Sequence, residues 1–359
     1  MKKSALRLYG FGVPAAMAAA ALFGLHELAM WITVYHLLLT AASLAAPDAF
    51  TRSAAKLIST KKVMGGLLTA LLLTLLAGGG LVFAYTRVGI FTPSLVILGA
   101  ILTAIRCVQE LFASQGDMTS ARLTDVLSFV ALTAGTLIPG DTLMHCCIGA
   151  GAALGVSGLI AAGFSKREWP RPNGAIFREI PAALARTLLF PALFAGLAWL
   201  FGAKTLTIEL ILGYFAGQIL LETAKTTFRR GKFEAAGLKT GVALAVLLFA
   251  LAMLALGCFW YPVSLERITA VFMLAAACAL LLYGPFDLKT LTDALIPLAA
   301  AALTALGITP AHQSFPNEVF IAPAAGTILC SLMFREWAQL YRQGKAKRIR
   351  RKARKMAGR

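Results

Sequence analysis

The chain has 359 residues, 59% of them hydrophobic and 14% charged, with a mean hydropathy of +0.78. An ordinary soluble domain is roughly 45–50% apolar and about a quarter charged, so a soluble chain of this length could not hide so much apolar surface. The composition excludes a soluble catalytic module and leaves a bilayer as the main solvent. Lys and Arg number 34 against 16 Asp and Glu, a net charge of +18, and the positions of these cations carry the topology.

Apolar runs between polar breaks predict spans near 9–25, 28–46, 63–85, 91–112, 122–138, 143–164, 180–201, 206–224, 240–258, 268–284, 291–308 and 318–334. A crossing takes about 20 residues, so about 12 crossings use most of the chain. In the first pair only His26 and Glu27 divide the spans. The N-terminus also has the basic and apolar regions of a signal peptide, although the repeat described below predicts a retained span. The even-numbered connections and both termini hold 29 of the 34 cations, among them Arg52, Lys56, Arg122, Lys166, Arg178, Lys225, Lys239, Lys289 and eleven from Arg335 to Arg359. By the positive-inside rule both termini are expected in the cytoplasm, which requires an even number of crossings. The expected location is a bacterial-type inner membrane.

A shift of 168 positions superimposes Leu123-Thr124-Asp125 on Leu291-Thr292-Asp293 and Arg167-Glu168-Trp169 on Arg335-Glu336-Trp337. Gly116 meets Gly284, Thr136 meets Thr304, and Trp31 meets Trp199. Matches of Asp, Arg, Glu and Trp at one offset are costly to produce by chance in an Ala- and Leu-rich chain. The fold class expected is therefore an all-α polytopic membrane protein of two parallel six-helix repeats. The lobes are 1–165 and 180–337, joined by a basic cytoplasmic linker at 166–179 and followed by a basic tail at 338–359. In carriers duplicated this way the substrate site lies near the midplane between lobes that rock against each other.

Charge inside a span is expensive and marks function by default. Arg106 and Arg186 lie about two turns inside spans 4 and 7 from the same face, one in each expected lobe. Arg binds phosphate oxygens in a forked geometry, so the pair is a candidate phosphate clamp. The plainer readings are snorkelling to headgroups and, for Arg106, a local ion pair with Glu110 four residues on. His36 in span 2 is a third candidate substrate contact, because imidazole titrates near neutrality. Glu222, Glu110, Asp125 and Asp293 are candidate coupling acids. Glu222 is expected to pair with Lys225, and Asp125 and Asp293 fit early helical positions that favour the helix dipole. Asp117 and Asp287 read as caps. Trp169 and Trp337 read as interface anchors. Pro191 is expected to kink span 7.

Cys107, Cys146, Cys147, Cys258, Cys278 and Cys330 show no metal-ligand or disulfide spacing, so no metal and no cofactor is expected. No DDxxD or equivalent acid cluster for a metal-bound pyrophosphate occurs, so enzymatic activity is not expected. The tail KAKRIRRKARK is expected on anionic lipid; nothing aromatic supports nucleic acid as a partner.

The stretches TVYHLLLTAASLAAPDAFTRSAAKLISTKK, IRCVQELFASQGDMTSARLTDVLSFVAL and REIPAALARTLLFPALF resemble, in rhythm, spans 2–3, spans 4–5 and the opening of span 7 of the multidrug/oligosaccharidyl-lipid/polysaccharide exporter superfamily, in its polysaccharide and sporulation branch. The resemblance implies flipping or export of a large amphiphile, often an undecaprenyl-linked sugar, through a cleft between lobes. It would give Arg106 and Arg186 a phosphate-contacting role. The alternatives are a drug or small-molecule exporter of the same fold and a non-transporting scaffold derived from it.

Overall fold

The computed structural model of the protein describes residues 9–43, 93–115, 117–164, 177–178, 180–203, 206–228, 235–259, 265–284 and 288–306, with 69, 72, 73, 76 and 328 singly. The described residues are helical throughout, without strands. The helices are α1 (Gly12–Leu22), α2 (His26–Ser43), α3 (Pro93–Gln115), α4 (Met118–Leu137), α5 (Thr142–Phe164), α6 (Ile180–Leu200), α7 (Ile208–Phe228), α8 (Ala235–Phe259), α9 (Leu265–Tyr283) and α10 (Leu288–Ala305). Every predicted span that falls on described residues meets one of them. The spans predicted at 63–85 (four single residues apart) and 318–334 (Ile328 apart), most of the linker at 166–179, the tail at 338–359, Asp287, Trp169 and Trp337 lie outside the described residues.

Four stretches among the described residues are long and apolar enough to cross a membrane: Thr142–Ile160, Ile180–Leu200, Glu266–Tyr283 and Leu288–Ala305. The protein is therefore an all-helical chain with membrane-length apolar helices. α1 differs from its predicted span: with 11 residues it is about 16 Å long at 1.5 Å per residue, short of a crossing. Its ends are set by glycines in left-handed backbone, Gly10 at φ 95° and Gly24 at φ 80°, which interrupt the apolar run without any polar residue to announce them.

The chain forms two compact units, Met1–Thr227 and Phe228–Arg359. The first includes α6 and nearly all of α7, so its boundary falls two helices beyond the expected linker. Within it α4 packs on α5, α1 and α3, while α2 packs on α1, α3 and α6. In the second unit α9 packs on α10 and α8, with Phe249 and Phe272 stacked at 3.8 Å between centroids. The α9 residues from Ile268 to Leu280 are all buried, as expected of a helix apolar on every side.

Two helices reverse the pattern of a soluble protein. On α4 the buried set includes Thr124, Asp125, Ser128 and Thr136, whereas Leu123, Val126, Phe129 and Val130 are exposed. On α10 Thr290, Asp293 and Thr304 are buried and Leu288, Leu291, Leu295 and Leu303 are exposed. Polar groups inward and large apolar groups outward is the arrangement that lipid, not water, stabilises. The helix ends also keep the sequence offset: α3 and α9 end at Gln115 and Tyr283, and α4 and α10 at Leu137 and Ala305.

Gly10 combines positive φ with a close approach: a Cβ there would run into the Arg106 guanidinium. Gly24 has positive φ and open space around it. Gly24→Ala is expected to cost only the left-handed strain, about 1–2 kcal/mol. Gly10→Ala is expected to cost that and the displacement of Arg106. Thermal unfolding in detergent checks this: the melting temperature of Gly10→Ala should lie clearly below that of Gly24→Ala, and equal values would contradict the docking of this segment.

Candidate functional site

The first unit contains a charged cluster enclosed by otherwise apolar helices. Arg106 on α3 is 7% exposed and Glu110, one turn on, is 1% exposed. Arg106 Nη2 lies 3.2 Å from Glu110 Oε1, the expected i,i+4 pair. The same nitrogen donates to Glu222 Oε2 on α7 at 2.5 Å. Lys225 Nζ stands 3.9 Å from Glu110 Oε1 and 4.0 Å from Glu222 Oε1, so the expected Glu222–Lys225 pair is present as one edge of a larger network. Arg106 Nη1 also donates to Gln109 Oε1 at 3.4 Å.

The segment before α1 closes the cluster. Tyr9 OH donates to Glu110 Oε2 at 3.1 Å, and the Arg106 guanidinium lies 5.2 Å from the centre of the Tyr9 ring, within cation–π range. Phe11 N and Gly12 N donate to Asp125 Oδ2 and Oδ1 at 2.9 and 2.8 Å, and Gln109 Nε2 donates to Oδ1 at 3.1 Å. The expectation that Asp125 serves the first turn of its own helix is thus corrected. It is the eighth residue of α4, and its carboxylate caps the amide end of α1 instead, satisfying donors that a helix start leaves open. Gly12 is tight against this contact, since a Cβ would meet the Asp125 carbonyl.

Asp293, the sixth residue of α10, is likewise no first-turn residue. In the second unit it accepts from Lys239 Nζ on α8 at 2.7 Å, with the two residues 6% and 2% exposed. Reading Lys239 as a solvated loop cation missed this pair. The available signal was depth: Lys239 and Asp293 each sit about one turn inside helices that enter from the same predicted face.

The other expectations divide. His36 is on α2, edge-on to Tyr214 with centroids 6.1 Å apart and 6.2 Å from Phe215. Arg186 is exposed on α6, unlike buried Arg106, so the two guanidiniums do not form the expected clamp in this structure. Pro191 lies inside α6, which continues to Leu200; the proline deprives the Thr187 carbonyl of its helical donor. Asp117 caps α4 as expected: Ser120 N and Oγ donate to its carboxylate at 3.1 and 2.6 Å, holding its carboxyl below the usual carboxylate range. Because the folded-state value is lowered, this stabilisation is complete at neutral pH and disappears as the pH falls through that lowered value.

A cavity of about 70 Å³ opens beside the cluster, lined by Arg106, Gln109, Asp125 and Glu222 with His36, Thr40, Thr103 and Gln218. At roughly 10–15 Å³ per water it holds about five. Among the described residues no group of three or more His, Cys, Asp and Glu is placed to hold a metal ion. With Asp125 held by amides, the arrangement can shift charge between Glu222, Glu110 and the two cations, and can offer a polar small-volume site within an apolar bundle. No protein-family model, curated protein or solved structure matches the chain.

Removing one partner of a buried ion pair costs about 3–5 kcal/mol, whereas replacing both by apolar groups is often neutral or stabilising. Lys239→Met is therefore expected to lower the unfolding temperature sharply, and Lys239→Met with Asp293→Leu to recover most of the loss. Asp125→Ala, which removes three acceptor contacts including the α1 cap, should cost roughly 2–4 kcal/mol. Denaturant titration in detergent reads both effects; additive single and double losses at Lys239 and Asp293 would contradict the pairing.

Proposed function

We propose that the protein is a multi-pass membrane carrier: an exporter or flippase of an amphiphile, such as a lipid-linked saccharide, working by alternating access between two six-helix repeats. Both termini are cytoplasmic in this reading, and the basic tail meets anionic lipid. The observation that carries the reading is the Arg106–Glu110–Glu222–Lys225 network set beside a polar cavity. A membrane scaffold has no need of such groups, because charges within spans are costly and mark substrate or ion pathways. The common offset of helix ends and the polar-in, apolar-out faces of α4 and α10 support the duplication. The network supplies the means of coupling to an ion gradient, since Glu222 and Glu110 share two cations whose allegiance changes with protonation.

One observation favours a second reading, export of a drug or other small molecule. The cavity is small and acid-lined, and Arg106 is already paired with carboxylates rather than matched by Arg186. Purified protein in liposomes separates the two. The flippase reading expects a fluorescent polyprenyl-phosphate sugar to change leaflets with wild type, and the rate to fall at least tenfold with Arg106→Gln. The small-molecule reading expects a cationic dye, and not the lipid, to move when a proton gradient is applied. Movement of neither by folded protein would contradict the carrier proposal.

A further inference from the structure

The Arg106 guanidinium is more than nine-tenths buried and lines the cavity, yet its Nε–H has no acceptor among the described residues. Its Nη2 edge is turned to the Glu222 carboxylate at 2.5 Å, and Glu222 lines the same cavity. A carboxylate on a guanidinium has the geometry that a phosphate or sulfate oxygen adopts there. The cavity holds about five water-sized positions, which suits a tetrahedral oxyanion of five heavy atoms. We propose that Arg106 is an oxyanion site occupied here by Glu222 as an internal stand-in, and that a phosphate-class headgroup or free oxyanion displaces Glu222 with the uptake of a proton.

The proton follows from charge. Arg106 and Lys225 face Glu110, Glu222 and Asp125, two cations against three acids, with Tyr9, Cys107 and His36 as the other titratable neighbours. Asp125 is held by the α1 amides and Gln109. Glu110 keeps Tyr9 and Lys225. Glu222 is the acid whose shortest contact the incoming anion takes away. An added dianion raises the local negative charge, and a displaced carboxylate in an apolar bundle is neutralised by protonation at far lower cost than it is kept charged. Anion binding and proton uptake are then one linked event, reciprocal by thermodynamic necessity.

This deepens the carrier reading by naming the headgroup chemistry, and a binding measurement without transport tests it separately. Inorganic sulfate, whose charge is constant near neutrality, is titrated calorimetrically into the full chain in detergent, in two buffers of different ionisation enthalpy. Wild type is expected to bind with uptake of about one proton. Glu222→Gln is expected to bind about tenfold tighter with no proton uptake. Arg106→Lys, which keeps the charge and loses the fork, is expected to weaken binding about tenfold. Nanodiscs distinguish the sources: competition between sulfate and phosphatidic acid, absent with phosphatidylcholine alone, assigns the site to a lipid headgroup, and sulfate binding indifferent to lipid assigns it to a soluble oxyanion. Sulfate affinity unchanged by Glu222→Gln, no sulfate binding by either form, or proton uptake that persists in Glu222→Gln would overturn the proposal. Failure of lipid transport with these binding results intact would overturn the carrier reading alone.

Discussion

The first unit depends on how Arg106 is kept charged inside apolar helices. An isolated guanidinium there would cost many kcal/mol, and the protein offsets that cost with contacts drawn from several elements. Glu110 comes from the same helix, Glu222 from α7 and the Tyr9 ring from the segment before α1. One side chain thereby ties α3 to α7 and to the start of the chain. Gly10 is left-handed and unsubstituted beside it because the guanidinium occupies the space a Cβ would need. Asp125 completes the arrangement by seating the amide end of α1 against α4 and Gln109.

The outward faces obey a complementary constraint. Where polar groups on α4 and α10 turn inward, leucine, valine and phenylalanine are left outside, and the exposed Trp199 near the end of α6 is placed as interfacial aromatics are. Such a chain gains little from apolar burial between helices that lipid already solvates. Its specificity then rests on small-residue contacts and on internal polar pairs. The Lys239–Asp293 pair in the second unit is a further instance, made from two residues that enter their helices at similar depth.

Much of the helical layout was legible in the sequence, because a span needs a long apolar run and hydropathy reads such runs directly. The Arg106–Glu110 pair was legible too, as i,i+4 neighbours on one helix. What escaped was tertiary. Hydropathy has no term for the left-handed Gly10 and Gly24 that shorten α1. Asp125 looked like a first-turn acid because sequence shows where a carboxylate stands and not which helix it serves. Lys239 and Lys225 counted toward the cytoplasmic cations although both are buried, since the positive-inside rule scores position and is blind to a partner on another helix. Arg186 matched Arg106 in depth along the chain, but depth alone does not decide which way a side chain faces.

The account stands on the energetic linkage of α3 and α7 through one guanidinium and one carboxylate. A double-mutant cycle on Arg106→Met and Glu222→Leu, followed by reversible unfolding of the purified chain in a single detergent, measures that linkage most directly. The expected coupling energy is about 2 kcal/mol or more, in the range of contacting charged pairs, with the double variant more stable than the worse of the two singles. A coupling energy indistinguishable from zero would mean that the two side chains do not meet, and the site built on their meeting would be lost.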